Sequence, residues 1–184
     1  MTRVLLVCSL LASILAFVPA ARATSVALGG GDGSFAVHAD TALLPTLHAD
    51  LDYLRTGSGH GNADIYGIGL MVSPPTPLVH WAIGARYQYQ STRYGNGGGV
   101  ELGASLFFDT PLPLLRVGGY GFYMPSGAAS GDIRHSADYG AQLRLGLTRS
   151  IYAYAGYRYL RTAFDGTGTH VVYRGPAIGV SVGF

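Results

Sequence analysis

His38, Asp40, His48 and Asp50, set around one short turn, are the first candidates for chemistry in this chain of 184 residues. Imidazole and carboxylate are both metal ligands and proton carriers, so two Asp–His pairs would suit a metal ion or a poised general base. A turn at Leu43 to Pro45 that keeps the apolar residues on one side sets Asp40 opposite His48 and His38 opposite Asp50. Polar side chains that only satisfy one another's hydrogen bonds would have the same spacing, and that reading needs no ligand. It is the reading preferred here, and no cofactor or metal is expected.

A second set is ionic. Arg86 falls near Glu101 across one hairpin, and Arg158 lies diagonal to Asp138 across another. Inside a low-dielectric wall such pairs form a plug; around a wider, wetter lumen they would line a pore for small solutes. No nucleophile elbow or His-x-Ser pair is present, and Ser136 directly follows His135, which puts the two on opposite faces of a strand. The expected protein is not an enzyme, with a lipid-modifying or protease barrel as the alternative. The Gly-rich segments Gly29 to Gly33 and Gly95 to Gly99 open no helix, so they are expected as flexible connections and not as phosphate cradles.

The elements that would hold these residues are strands. From Val79 to Gln90, Val79, Trp81, Ile83, Ala85, Tyr87 and Tyr89 share one face, while His80, Arg86, Gln88 and Gln90 share the other. Val100 to Phe108 and Ala137 to Leu147 repeat the alternation. Short connections (Leu43 to Pro45, Ser73 to Pro77, Asp109 to Pro113, Thr148 to Ser150) alternate with longer ones (Thr56 to Asn62, Ser91 to Gly97, Pro125 to His135, Thr162 to Thr169). That is the pattern of an up-and-down outer-membrane barrel with tight periplasmic turns. The expected fold is all-β: a closed antiparallel transmembrane barrel of ten strands, if Ser25 to Gly30 supplies the first. Eight strands result if the weak first hairpin stays outside the wall.

Composition agrees. Charged residues make up 12% of the chain and hydrophobic ones 48%, too few charges to solvate the outside of a soluble barrel. Residues 1–23 read as a signal peptide: Arg3, the apolar run Val4 to Val18, then Ala21 and Ala23 flanking Arg22 at the cleavage site. One domain, 24–184, follows, and the single Cys8 leaves with the signal. Without Arg3 and Arg22 the twelve basic residues become ten, equal to the ten acidic ones, so nucleic-acid binding has no electrostatic support.

The large apolar residues are expected to face lipid, with Gly, Ala, Ser and the charges inside. Tyr53, Tyr66, Trp81, Tyr87, Tyr89, Tyr123, Tyr157 and Tyr159 suit an interfacial girdle, and Tyr152 and Tyr154 are expected to point inward. Arg55, Arg93, Arg134 and Arg161 lie toward the outer ends, where guanidinium groups would hold lipopolysaccharide phosphates. Outer-membrane lipid and lipopolysaccharide are thus the expected partners; no soluble partner can be named.

The last strand alternates Pro176, Ile178, Val180, Val182 and Phe184 with small residues. Gly179, Val182 and the terminal Phe184 resemble the signal read by the outer-membrane barrel assembly machinery, although Ala177 stands where that signal often has a polar residue. Together with Tyr66-Gly67-Ile68-Gly69-Leu70 and Ala155-Gly156-Tyr157-Arg158-Tyr159, the ending Ile178 to Phe184 resembles the YfaZ family of outer-membrane proteins. The resemblance covers most of the chain after residue 23 and implies an outer-membrane barrel. It implies no catalytic or binding residue.

Overall fold

The computed structural model describes residues 24–57, 61–148 and 150–184. The segment expected as a signal peptide, residues 1–23 with Ala21 and Ala23, lies outside these residues. The described chain is almost entirely strand: β1 (Thr24–Gly31), β2 (Ser34–Leu44), β3 (Leu47–Arg55), β4 (Asp64–Val72), β5 (Val79–Thr92), β6 (Gly95–Asp109), β7 (Leu115–Met124), β8 (Ala129–Gly131), β9 (Ile133–Gly146), β10 (Ile151–Phe164) and β11 (Gly168–Gly183). Each long strand pairs antiparallel with its neighbours, and the pairing of β1 with β11 completes the circle. The wall therefore has ten strands, because the short β8 only extends the sheet beside Gly97 to Gly99 of β6.

The wall is turned as the alternation requires. Ile68, Leu70, Ile83, Leu102, Leu143, Ile178 and Val180 are exposed on the outside, while Gly67, Gly69, Gly103, Gly140 and Gly156 alternate with them on the inner side. No helix among the described residues is long and apolar enough to cross a membrane, which says nothing about crossing by strands. Strands β2 to β4 and β7, of 9 to 11 residues, match the span of a tilted transmembrane strand, and β5, β6, β9, β10 and β11 exceed it.

Tyrosines collect toward the end opposite the termini. Tyr53, Tyr66 and Tyr89 stand in one cross-strand row, and Tyr139 stacks on Tyr159 with ring centroids 5.1 Å apart. Tyr157, Tyr87 and Tyr123 are also exposed on the outer surface, and Trp81 belongs to the other end, near the start of β5.

The connections depart from the expected short–long alternation. Of the segments expected as long loops, Ser91 to Gly97, Pro125 to His135 and Thr162 to Thr169 are largely strand, while the described part of Thr56 to Asn62 is not: β5 and β6 meet at a two-residue turn, Arg93-Tyr94, with Thr92 paired to Gly95. Gly29, Gly30 and Gly31 likewise lie within β1, leaving only Asp32 and Gly33 in the turn, both at positive φ. Glycine tracts form strand here because neighbouring backbone and side chains occupy the space that a Cβ would fill. At Gly179 a Cβ would stand 2.6 Å from the hydroxyl of Tyr154, whose ring lies across β11 towards Gly29. Gly179→Ala should therefore lower stability by roughly 1–3 kcal/mol. Urea unfolding of the refolded protein in lipid vesicles measures this.

Candidate functional site

The lumen is built in layers. At its middle, Arg86 on β5 and Glu101 on β6 are direct cross-strand partners, with Nε donating to Oε2 at 2.7 Å. Arg86 also donates across the barrel to Asp138 on β9. Arg158 on β10 grips the same carboxylate with two bonds, Nε to Oδ1 at 3.1 Å and Nη2 to Oδ2 at 2.8 Å, and reaches Asp52 on β3 at 3.1 Å. Glu101, Arg86, Asp138, Arg158 and Asp52 thus form one chain of alternating charge. Glu101 and Asp138 have no exposed surface, and Arg86 has 5%. The Arg86 guanidinium also stacks 4.1 Å from the Phe122 ring centroid. The pairs Arg86–Glu101 and Arg158–Asp138 are as the hairpins implied. The cross-lumen bonds and the part played by Asp52 are not legible locally, because no turn joins those strands.

Next, toward the end away from the termini, comes a layer of amides and hydroxyls. Gln90 donates to Ser136 Oγ at 3.1 Å and accepts from Thr162 at 2.9 Å. The Gln88 amide, with its nitrogen toward Glu101 Oε1 and its oxygen toward Arg86 Nη2, ties this layer to the charges at 3.2 and 2.9 Å. Ser136 is fully engaged here, and His135 at the next position belongs to the other face of β9.

Beyond it the interior becomes apolar, where Gly, Ala, Ser and charges were expected throughout. Leu54, Ile65, Met124, Ile133, Leu160, Phe164, Val172 and Tyr173 are buried together, with Ala36, Tyr94 and Ala129 packed against them. Two irregularities help. Leu160 pairs Tyr173 while Arg161 pairs Val171, so Val172 is an extra residue and both it and Tyr173 turn inward. A similar shift places Ile133 opposite Phe164. Strict alternation cannot foresee either.

On the termini side of the charges lies a cavity of about 790 Å³ whose mouth is edged by Leu112, Leu114 and Thr148. It climbs past Asp52 and Arg158 along β1 to β3 and reaches Ser34, Leu54 and Tyr173. There the Tyr173 hydroxyl donates to Pro176 O at 2.7 Å and accepts from Ser34 Oγ at 3.1 Å.

His38, Asp40, His48 and Asp50 all line this vestibule, but in a different register from the one expected. Asp40 is opposite Asp50 and His38 opposite Asp52, because the turn is Pro45-Thr46 and the pairing slips between Ala42 and Leu44. Only the Asp40–His48 contact survives, as a diagonal of 3.2 Å. Asp50 Oδ1 is buried without a hydrogen-bond partner. Among the described residues no three His, Cys, Asp or Glu side chains are grouped to hold a metal ion. Tyr152 and Tyr154 line the same vestibule, as their inward face implied.

Arg55, Arg93, Arg134 and Arg161 all sit at the end away from the termini, dispersed around it and partly engaged. Arg55 approaches Asp64 at 3.9 Å, Arg134 approaches Asp165 at 3.5 Å, and Arg93 stacks on Tyr94 at 4.7 Å; Arg161 is exposed on β10. Of the terminal residues, Gly179 faces inward beneath Tyr154, Val182 pairs with Val26 and Ile151, and Phe184 is 77% exposed.

A closed sheet with an apolar exterior, an aromatic belt and a polar, ion-paired interior defines an outer-membrane β-barrel. Residues 5–184 match the model of the YfaZ family, described as YfaZ precursor, and the chain belongs to that family. It is an exported protein of the outer membrane. Solved structures similar to it include a KdgM porin in complex with disordered oligogalacturonate, at 8% identity and TM-score 0.47 over 89% of this chain and 99% of that one. A second KdgM porin structure is similar at 8% identity and TM-score 0.44, with the same coverage. A NanC porin is similar at 10% identity and TM-score 0.42, over 87% of this chain and 97% of that one. No match was found among curated proteins.

Removing one partner of a buried ionic network leaves charge without solvent or counterion. Arg86→Ala should therefore destabilise the barrel by about 3–5 kcal/mol. Adding Glu101→Gln should recover part of that loss, since Asp138 keeps Arg158. Urea titrations of both variants in vesicles test the pair.

Proposed function

We propose that the protein is a non-conducting outer-membrane barrel, without catalytic activity, whose water-filled vestibule opens only to the periplasm. The observation that carries this reading is the ceiling of the cavity: Leu54 and Tyr173, each 1% exposed, close it beneath the apolar cluster. Charges alone would leave a wettable path, whereas packed apolar side chains exclude water and ions. The reading takes as periplasmic the end of the barrel where Ser25 pairs with Gly183, the end that also carries the tight Pro45-Thr46 turn. With transport through the lumen shut, the protein acts at its two faces. The native protein in a planar bilayer should show no discrete current steps, and Leu54→Ala combined with Tyr173→Ala should introduce them. Steps in the native protein would make it a narrow pore instead.

At the outer face the four arginines Arg55, Arg93, Arg134 and Arg161 hold lipopolysaccharide phosphates above the tyrosine belt. Support comes from their common position at the end away from the termini and from the exposure of the Arg161 side chain. Replacing all four with Gln should reduce the lipopolysaccharide that co-purifies with the barrel. An unchanged amount would remove this contact from the reading.

A further inference from the structure

The inward-facing arginines are not alike. Arg86 and Arg158 are held by carboxylates in the central network, and Arg116 on β7 is held by Asp109 at 2.6 Å. Arg144 on β9 lines the vestibule and has no carboxylate at ion-pair distance among the described residues. Its guanidinium lies 3.8 Å from the Phe107 ring centroid, and its Nε and Nη2 share one neutral acceptor, Gln142 Oε1, at 3.3 and 3.2 Å. Stacking fixes the plane and the amide fixes one edge, so the group is oriented while no carboxylate is bonded to it.

The surroundings complete a binding site. The cross-strand partners of Arg144 are Arg116, a second guanidinium, and Tyr154, which lines the same vestibule with its hydroxyl turned away over β11. Gly118, beside them on β7, leaves room for Phe107: a Cβ there would come within 2.6 Å of that ring. The other carboxylates of the cavity are already engaged or sit on the far wall. Asp109 binds Arg116 and His80, Asp52 binds Arg158, and Asp40 with Asp50 belongs to the β2–β3 hairpin.

We infer that Arg144 is the anchor of an anion-binding site in the vestibule, taking a small organic anion through its carboxylate or phosphate group. An oriented guanidinium presents its remaining N–H donors as a fork that matches either group. The paired Asp40 and Asp50 across the cavity disfavour a ligand with further negative charge at its other end, so the site suits a compact ligand with one anionic group. This rests on the reading of the vestibule as open and hydrated, and not on the barrel's being closed at its far end.

The test is a titration of the full barrel in lipid nanodiscs, with nitrogen-15 in its arginine side chains, by sodium acetate and separately by inorganic phosphate at constant ionic strength. The Arg144 Nε resonance should move and saturate with one or both probes, while those of Arg86 and exposed Arg161 stay in place. Response to acetate alone assigns a carboxylate ligand, and to phosphate alone a phosphate ligand. Arg144→Gln should weaken binding about tenfold or abolish it, as expected for the loss of a charge-assisted fork, whereas Arg161→Gln should leave it unchanged. No saturable shift with either anion, or equal shifts at Arg144 and Arg161, would overturn the proposal. The comparison within one spectrum stands even if the Arg144 variant does not fold. Bilayer currents in the native protein would overturn the closed barrel and leave this titration intact.

Discussion

In hydrocarbon no water is available to a backbone N–H or C=O, so a sheet that crosses a membrane can have no free edge. In this protein that requirement is met where β1 pairs with β11, Ser25 against Gly183 through Gly30 against Ile178. Closure joins the first and last strands and forces alternate residues to opposite sides of one surface. Everything else in the structure is a response to the two environments so created. The outside takes Leu, Ile, Val and Tyr because lipid accepts them, and the inside must be filled from whatever the other half of each strand supplies.

The filling is graded along the axis. Charges occupy the middle, where each is surrounded by partners from several strands and the low dielectric makes an unpaired one costly. The amide and hydroxyl layer of Gln88, Gln90, Ser136 and Thr162 connects those charges to an apolar cluster, so few polar atoms are stranded at the boundary. On the other side the same charges border open space. Among the described residues the interior is therefore packed with apolar side chains toward one end and hollow toward the other.

Much of this was legible in the chain. Period-two alternation separated the two faces, and the scarcity of charge showed that the apolar one meets lipid. The pairs Arg86–Glu101 and Arg158–Asp138 followed from hairpin geometry, since a tight turn sets the register of the strands it joins. Around Pro45 the hairpin departs from that geometry: one irregular residue near Leu43 sets Asp50 opposite Asp40 and His38 opposite Asp52. The glycine tracts read as loops in the sequence because propensity argues against glycine in strands, while close approach inside a narrow barrel favours it.

By itself, then, the sequence determined what depends on neighbours along the chain: the strands, their two faces, their hairpin partners and the solvent each face requires. Only the tertiary structure decided what depends on the closed circle. The bonds Arg86–Asp138 and Arg158–Asp52 join strands that no single turn connects, so they depend on strand number and stagger. The apolar ceiling needed a bulge at Val172 to turn two successive residues inward. Arg144 became distinct for the same reason: whether a buried charge finds a partner is settled across the lumen, where sequence distance carries no information.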